Sequence, residues 1–264
     1  MSCLTVRVMI MSNSKLVSYT KLSPNHSGKR THKIDRISPH CVVGQVTVQR
    51  LGDIFAPKSR QASCNYGIGK DGKIGMYVAE GNHSWCTSSY ANDSRAVTIE
   101  CASDTKHPYK MNSKVYKSLV KLCVDICKRN GKKKLLWISN KTKALNYSPK
   151  SDEMVITIHR WFKNKACPGD WLVARLGKLA TEVTKQLGGS SAPAKTTPAK
   201  SSTTSYKVKV TAGVLNVRKG PGVSYAVATK IKKGDIYTIT QTKNGWGKLK
   251  SGAGWINLSY TKKV

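Results

Sequence analysis

One segment of the sequence brings three reactive side-chain types close together. In HRWFKNKACPGDW, residues 159–171, His159 supplies an imidazole, Lys165 an ammonium and Cys167 a thiol. The thiol could act as a nucleophile, as half of a disulfide, or as a metal ligand together with the imidazole. His159 and Cys167 cannot meet on a continuous helix, because eight residues at ~1.5 Å rise separate them by ~12 Å along the axis. A shared metal ion therefore requires this segment to fold back as a loop.

The position of Cys167 predicts a thiolate. Pro168 and Gly169 lead from it into a helical pattern, and a helix N-terminus carries partial positive charge that favours the anion. Only the thiolate binds zinc well. Lys165 lies two residues earlier, so in an extended loop both side chains point to the same side. Its ammonium could lower the thiol pKa further or stabilise a developing oxyanion.

A metal site needs a third ligand, and His40 in ISPHCVVGQ is the best candidate because it lies in a strand-like segment. Three protein ligands with a fourth position for water form the pattern of a catalytic zinc site. Zinc lowers the pKa of such a water to ~7 and polarises a scissile carbonyl. The remaining histidines lie in basic or loop-like regions: His26, His32, His83 and His107.

Hydrolysis of this kind also needs a group that moves a proton. Glu100 is the lone charge in the apolar strand pattern AVTIECA, residues 96–102. A carboxylate in such a strand is either paired or functional, whereas a solvated glutamate at a strand end is the alternative interpretation. We therefore expect Glu100 to be the proton shuttle.

The elements that must position these residues alternate between strands and helices. Strands are predicted over 36–48, 96–102, 133–139 and 154–159, and a hairpin over 65–80 with its turn at Asp71 and Gly72. Helices are predicted over 113–131 and over 168–188, the second with Pro168 in its first turn. This alternation predicts an α/β fold with a mixed central β-sheet flanked by helices.

Charge and composition restrict the possible partners. Lysine and arginine number 46 against 13 acidic residues, a net charge of +33, which favours nucleic acid, an anionic membrane or an anionic cell wall. No nucleic-acid motif with interleaved aromatic residues occurs, and no stretch approaches the ~18 apolar residues of a membrane span. The first apolar run is broken by Arg7, so we expect a cytoplasmic product without a signal peptide. The eight cysteines are then expected to be free thiols or metal ligands.

The chain is predicted to contain two domains. Residues 188–204, GGSSAPAKTTPAKSSTT, have the composition of a flexible linker. They separate a first domain, 1–187, from a tail, 205–264. The tail contains short strand patterns broken by turns, which predict a five-stranded all-β barrel.

Three segments of the first domain resemble a known family. SCNYGIGKDGKIGMYVAEGNHSW, VTIE and the H…KACPG spacing are similar to the zinc-dependent N-acetylmuramoyl-L-alanine amidases of type 2, the peptidoglycan recognition protein-like fold. The resemblance covers residues 30–187. It implies one Zn²⁺ held by His40, His159 and Cys167, with Glu100 as general base and acid and Lys165 as the oxyanion partner. The implied reaction is cleavage of the amide between N-acetylmuramic acid and L-alanine by a zinc-activated water.

The sequence departs from this family at two positions. Cys64 or Asn65 stands where some members have a tyrosine near the metal, which leaves the proton shuttle more firmly to Glu100. Cys86 follows the loop tryptophan where many members have a histidine, so the resemblance implies no substrate contact through that position. The groove for glycan or peptide is expected to be lined by His83, Trp85 and Asn92.

The tail resembles the bacterial SH3-type domain through LNVRKGPG and the paired NGWGKL and GAGWINLSY. This resemblance implies binding to peptidoglycan, and its basic residues favour teichoic acids and other anionic wall polymers. The aromatic residues expected to form either barrel core or wall-binding groove are Tyr225, Trp246, Trp255 and Tyr260. An amidase without a signal peptide suggests a phage or prophage endolysin that reaches the wall when a holin opens the membrane.

Two alternatives belong to other functional classes. Cysteine peptidases or amidases of the NlpC or CHAP kind also carry SH3-type tails, but their nucleophilic cysteine precedes its histidine, whereas Cys167 follows His159. A non-catalytic wall-binding or nucleic-acid-binding protein with a structural metal is the other alternative, and it is supported by the net charge of +33.

Overall fold

The computed structural model describes residues 13–188, 205–222, 225–243 and 245–264. The chain divides into two compact units, 1–194 and 195–264, and each is described by itself. Except for Gly188, the predicted linker lies outside the described residues. The proposed domain boundaries therefore stay a prediction.

The first unit contains nine strands and six α-helices in its described part. In chain order they are β1 (Tyr19–Thr20), β2 (His26–Lys29), β3 (Arg36–Cys41), α1 (Val48–Phe55), β4 (Tyr66–Ile68), β5 (Ile74–Met76), β6 (Asn82–Ser84), α2 (Tyr90–Asp93), β7 (Ala96–Cys101), α3 (Ser113–Arg129), β8 (Lys134–Leu136), α4 (Lys141–Asn146), β9 (Glu153–Ile156), α5 (Asp170–Val173) and α6 (Leu176–Gln186).

Seven of these strands form one mixed sheet in the order β1-β5-β4-β7-β3-β9-β8. The β4–β5 pair is antiparallel and the others are parallel, and β2 pairs with β6 in a small separate sheet. All six residues of β3 are buried, as expected for a central strand covered on both faces. The predicted mixed sheet flanked by helices is thus confirmed.

The hairpin and the long helix agree with local sequence signals. In the β4–β5 turn, Gly72 adopts φ +86°, and Asp71 accepts a hydrogen bond from the Lys73 backbone N–H. Helix α3 begins after Asn112, whose side chain accepts from the backbone N–H groups of residues 114 and 115. Its buried face, which includes Leu119 and Leu122, belongs to the main core.

Two predicted elements differ from the structure. The helix expected over 168–188 is two helices, α5 and α6, because a turn at Ala174 and Arg175 separates them. Pro168 lies before the first of these, and Gly169 occupies the N-cap position. The strand expected over 36–48 ends at Cys41. Thr47 then caps α1, a helix that the sequence patterns did not predict.

The second unit is all-β, as predicted, with more strands than the expected five. Its described strands are β10 (Tyr206–Val210), β11 (Val214–Arg218), β12 (Val227–Lys232), β13 (Ile236–Lys243), β14 (Trp246–Leu249), β15 (Trp255–Asn257) and β16 (Thr261–Lys263). They pair in the order β12-β11-β15-β14-β13-β10-β16. The core of this unit is formed by Val208, Val210, Leu215, Val217, Ile231, Ile239, Leu249 and Ile256. Among the described helices of the chain, none is long and apolar enough to cross a membrane.

Truncation of Leu119 tests the packing of α3 on the sheet. Leu119 is fully buried, so Leu119→Ala should lower the free energy of unfolding of the first unit by ~2–5 kcal/mol. Urea unfolding followed by tryptophan fluorescence measures this loss. Lys117→Ala, an exposed position on the same helix, is the control. Equal unfolding midpoints for the two variants would contradict the assigned packing.

Candidate metal centre and active site

Two neighbouring parallel strands bring His40 and Glu100 together. In the β3–β7 register these residues are direct partners, near the carboxyl end of each strand. The His40 side chain is fully buried, and its Nδ1 lies 3.8 Å from Glu100 Oε1. The first pair of predicted site residues thus meets through backbone pairing alone.

The segment that carries His159 and Cys167 folds back, as a shared metal ion requires. After β9 the chain enters a short 3-10 helix, His159–Trp161, and returns through residues 162–166. Cys167 Sγ then lies 3.2 Å from His40 Nδ1, and the two imidazole centroids are 5.1 Å apart. The ligand atoms of His40, His159 and Cys167 all lie within 4.8 Å of one another.

The polar atoms of this cluster fit a zinc ion. Within the described residues, His40 Nε2, His159 Nε2 and Glu100 Oε2 are buried and lack a hydrogen-bond partner. Buried polar atoms without partners are uncommon in folded proteins, and here they lie beside a thiol. Two imidazoles and a thiolate are ligands that zinc takes, and at bond lengths of ~2.0–2.3 Å tetrahedral ligand atoms lie about 3.3–3.8 Å apart.

The two histidines are held neutral, which is the form that binds a metal. Burial lowers the pKa of His40 to about 3, and the neighbouring His159 adds to this effect. Burial and the Lys165 ammonium lower the pKa of His159. Because His40 is uncharged, its 3.8 Å contact with Glu100 is a polar contact and not an ion pair.

Glu100 is set apart from an ordinary glutamate by its surroundings. Burial raises its pKa to about 7, against the opposing effects of the Arg60 guanidinium and a hydrogen bond from the Cys86 thiol. A carboxyl group with such a pKa can both take and release a proton near neutral pH. The interpretation of Glu100 as a solvated strand-end residue does not fit this burial.

The predicted reason for a Cys167 thiolate is wrong. Burial, together with Cys41 and the Glu100 carboxylate, raises the pKa of the Cys167 thiol well above its ordinary value. Helix α5 spans only four residues and does not offset this effect. A bound cation would reverse the balance, since a coordinating thiol loses its proton outright.

Arg160 clamps the loop between the two ligands. Its backbone N–H donates to the carbonyl of Cys167 at 3.2 Å, and its Nη2 donates to the carbonyl of Ala166. Nη1 donates to Asp170 Oδ1 at 2.7 Å, while Asp170 Oδ2 lies 2.8 Å from His107 Nε2. One guanidinium therefore joins the helix that carries His159 to the loop end that carries Cys167.

A groove of about 740 Å³ opens over the cluster. Lys165 lines it together with His83 and Trp85, two of the three residues expected to contact substrate. The third expectation, Asn92, is wrong. Its side chain is fully buried, accepts from Arg36 at 3.1 Å and donates to Ser38 at 3.1 Å.

The four aromatic residues predicted to bind the wall or to fill the barrel core of the second unit differ in how far their side chains are exposed. Tyr225 and Tyr260 are about half exposed, and Trp255 is partly buried. Trp246 is 8% exposed, so its indole offers little surface to a ligand and fits the barrel-core alternative.

Three groups near the cluster were not assigned a role from the sequence. Arg60 lines the groove from an exposed turn that carries no sequence signal, and Arg160 lies inside the segment 159–171 but gained no role from its spacing. Cys86 was noted only as a departure from the family pattern. Its thiol lies 3.9 Å from Glu100 Oε1.

Comparison with known proteins gives matches for both units. The family model described as N-acetylmuramoyl-L-alanine amidase matches residues 18–170, and that described as bacterial SH3 domain matches residues 213–262. No match to a curated protein is found.

Solved structures similar to this chain include the N-acetylmuramoyl-L-alanine amidase LysC from Clostridium intestinale. It is 15% identical, with a TM-score of 0.44, over 65% of this chain and 97% of that chain. A mutant endolysin from Bacillus subtilis is 14% identical, with a TM-score of 0.42, over 62% and 97%. Wild-type PGRP-LB from Drosophila is 15% identical, with a TM-score of 0.43, over 60% and 91%.

Removal of the Arg160 clamp should loosen the metal cluster. Arg160→Met is expected to weaken Zn²⁺ affinity about 10- to 100-fold, as is typical when a group that orients metal ligands is lost. Competition with a chromophoric chelator measures the affinity. Arg175→Met is the matched control, because Arg175 also donates to a backbone carbonyl but contacts no candidate ligand. Affinity equal to that of the wild-type chain would contradict the clamp.

Proposed function

The chain belongs to the N-acetylmuramoyl-L-alanine amidase family, and on that premise we propose that it is a zinc-dependent peptidoglycan amidase. The bond cut is the amide between the lactyl group of N-acetylmuramic acid and L-alanine of the stem peptide. The observation that supports zinc dependence most directly is the convergence of His40, His159 and Cys167, two of them with unpartnered buried nitrogens. Glu100 lies beside this cluster at the floor of a groove.

The proposed ligands of a single Zn²⁺ are His40, His159 and Cys167. When bound there, zinc supplies the activation of water and the polarisation of the scissile carbonyl. The neutral imidazoles and the thiol lie within one ligand sphere. The protein contributes a set of donors that the fold has already brought together, one of them fully buried.

Glu100 is the proposed general base and acid. Its raised pKa, about 7, lets the carboxylate accept a proton from the attacking water and then deliver it to the leaving amine of L-alanine. Lys165 lines the same groove, and its positive charge contributes to the lowered pKa of His159. We assign its ammonium to the developing oxyanion, where a fixed positive charge stabilises the transition state.

Trp85 is the proposed contact for glycan or peptide, whereas His83, which the sequence also predicted as a contact, is 2% exposed and offers substrate little surface. Trp85 is 37% exposed, and its indole Nε1 donates to Ser27 Oγ, which also lines the groove. His83 packs edge-on against Tyr90, with ring centroids 4.7 Å apart. An aromatic wall of this kind suits the apolar faces of a sugar ring.

The second unit is proposed to hold the enzyme on the wall through a lysine face, defined as Lys207, Lys209 and Lys262. Lys209 and Lys262 are direct cross-strand partners on β10 and β16, and Lys207 lies on the same exposed face as Lys209. Like charges directly opposite each other destabilise a sheet. Among the described residues of this unit, no lysine is paired with a carboxylate.

A phosphate-bearing wall polymer would relieve this repulsion, and teichoic acid is the polymer we propose. The only acidic residue of 205–264 is Asp235, which accepts from the Lys232 backbone N–H and from the Tyr237 hydroxyl. Peptidoglycan is the other proposed wall ligand. An endolysin role, a host-cytoplasmic location before lysis and release through a holin stay predictions from the sequence.

Glu100→Gln tests the proposed base. The hydrolysis rate should fall about 10²- to 10⁴-fold, because the amide cannot move the proton, while one Zn²⁺ stays bound. Mass spectrometry of digested peptidoglycan, scored for new amino groups on L-alanine without new reducing sugars, measures the rate. Metal analysis measures the zinc. Glu182→Gln, on α6 outside the groove, is the control, and undiminished hydrolysis by Glu100→Gln would refute the assignment.

Chelation distinguishes this mechanism from a cysteine nucleophile. The 3.2 Å contact between Cys167 and His40 would also suit a thiol and its base, so the two mechanisms need an experiment that separates them. The zinc mechanism predicts that EDTA abolishes hydrolysis and that added Zn²⁺ restores it. Hydrolysis that survives EDTA but is lost to iodoacetamide in the metal-loaded enzyme would favour the cysteine mechanism.

Charge removal on the lysine face tests wall binding. Lys209→Gln with Lys262→Gln, in a Glu100→Gln background that spares the wall, should weaken binding to walls about 2- to 30-fold, from ~0.2–1 kcal/mol per exposed ion pair. Lys230→Gln with Lys232→Gln removes the same charge from β12 and should weaken it less. Cosedimentation with walls before and after chemical removal of teichoic acid measures binding. Equal effects of both double variants would contradict a localised face.

A further inference from the structure

Cys86 is a buried thiol that the proposed mechanism does not use. It is 9% exposed and lines the groove over the metal cluster. Its backbone is held rigidly, because Asp93 of α2 accepts from the N–H groups of Cys86 and Thr87, at 3.1 Å each, and from the Thr87 hydroxyl at 2.7 Å. The Asp93 carboxylate is itself 3% exposed. The backbone from which the thiol projects is therefore fixed beside the cluster.

Cys86 belongs to a second group of possible metal ligands. The ligand atoms of His40, Cys86 and Glu100 all lie within 4.8 Å of one another, as do those of His40, His159 and Cys167. His40 Nδ1 is 3.8 Å from Glu100 Oε1, which in turn is 3.9 Å from Cys86 Sγ. These separations are close to the ~3.3–3.8 Å expected between ligands of one tetrahedral zinc.

We propose that His40, Cys86 and Glu100 form a second, inhibitory position for a thiol-preferring divalent cation, either Cd²⁺ or Zn²⁺ in excess. The second position shares His40 with His159 and Cys167, so a second cation that binds Cys86, Glu100 and His40 leaves the first cation held by His159 and Cys167 alone. A thiolate selects soft or borderline cations over Mg²⁺ and Ca²⁺. On binding, the Cys86 thiol releases its proton to solvent and its sulfur bonds the cation.

Occupation of the second position removes Glu100 from catalysis. A carboxylate bonded to a cation is a much weaker base toward the proton of water, because the adjacent positive charge stabilises the anion. The enzyme would therefore be active with one equivalent of Zn²⁺ and inhibited by more. This consequence rests on the role proposed for Glu100, whereas binding of the cation at Cys86 does not.

Cadmium titration of the metal-free full chain tests the binding independently of activity. Bonding of thiolate to Cd²⁺ produces a charge-transfer band in the ultraviolet. Cys167→Ser removes the thiol from the set His40, His159 and Cys167. We expect this variant still to develop the band, because Cys86 can bind Cd²⁺. In the double variant Cys167→Ser with Cys86→Ser the band should be lost.

Cys167→Ser with Cys64→Ser is the matched control, since Cys64 is another buried thiol near Glu100 but belongs to neither set. It should keep the band. Circular dichroism of each variant verifies the fold before titration. Loss of the band in Cys167→Ser alone, or an equal band in the two double variants, would overturn the second position.

Inhibition gives a second measurement. The ratio of the hydrolysis rate with excess Zn²⁺ to that with one equivalent should lie well below one for the wild-type chain and close to one for Cys86→Ser, each variant compared with itself. A ratio that Cys86→Ser leaves at the wild-type value would contradict inhibition through this thiol. If the chain shows no amidase activity at all, the proposed function fails while the cadmium band still decides the binding site.

Discussion

The parallel pairing of β3 with β7 is the constraint on which the site depends. Its register places His40 directly beside Glu100, so one strand pair supplies both a candidate metal ligand and the candidate base. A slip of either strand by one residue would turn its side chain to the opposite face of the sheet and separate the pair. The neighbouring pairs β7–β4 and β3–β9 extend the same sheet on both sides. Catalytic geometry is thereby tied to the stability of the central sheet.

Burial of this strand pair explains the chemistry of the residues on it. The chain has a net charge of +33, yet the groups at the floor of the groove are held neutral or near neutrality. The reason is that the loss of hydration destabilises their charged forms more than distant charges stabilise them. The same burial keeps His40 deprotonated and holds the Glu100 proton more tightly. It also makes the unpartnered nitrogen atoms costly.

Groups outside the cluster determine how rigid it is. Arg160 joins the His159 helix to the Cys167 loop, and Asp93 fixes the backbone at Cys86. Both use multiple hydrogen bonds with a charged partner, which are stronger and more directional than neutral ones. The second unit has a different physical character. Its lysine face is exposed, and among the described residues no carboxylate pairs with these lysines. Such a surface can attract a large anion, whereas it lacks the buried groups of a catalytic site.

The sequence by itself determined the features that depend on residue type and local spacing. Alternating strand and helix patterns predicted the mixed sheet, apolar spacing predicted α3, and the separation of His159 from Cys167 required a fold-back loop. The family resemblance strengthened the assignment of His40, Glu100 and Lys165. These signals are local, since propensity and periodicity extend over only a few residues, and they misplaced the helix start at Pro168 for the same reason.

Only the tertiary structure decided which groups contact one another and which are buried. Cys86 meets Glu100, and Asn92 is directed into the interior instead of the groove, because helix α2 and strand β7 bring distant segments together. Trp246 is buried in the second unit, which decides between the barrel-core and groove alternatives that the sequence left open. Contacts, burial and the resulting pKa values depend on neighbours that are far apart in the chain, so no local pattern carries them.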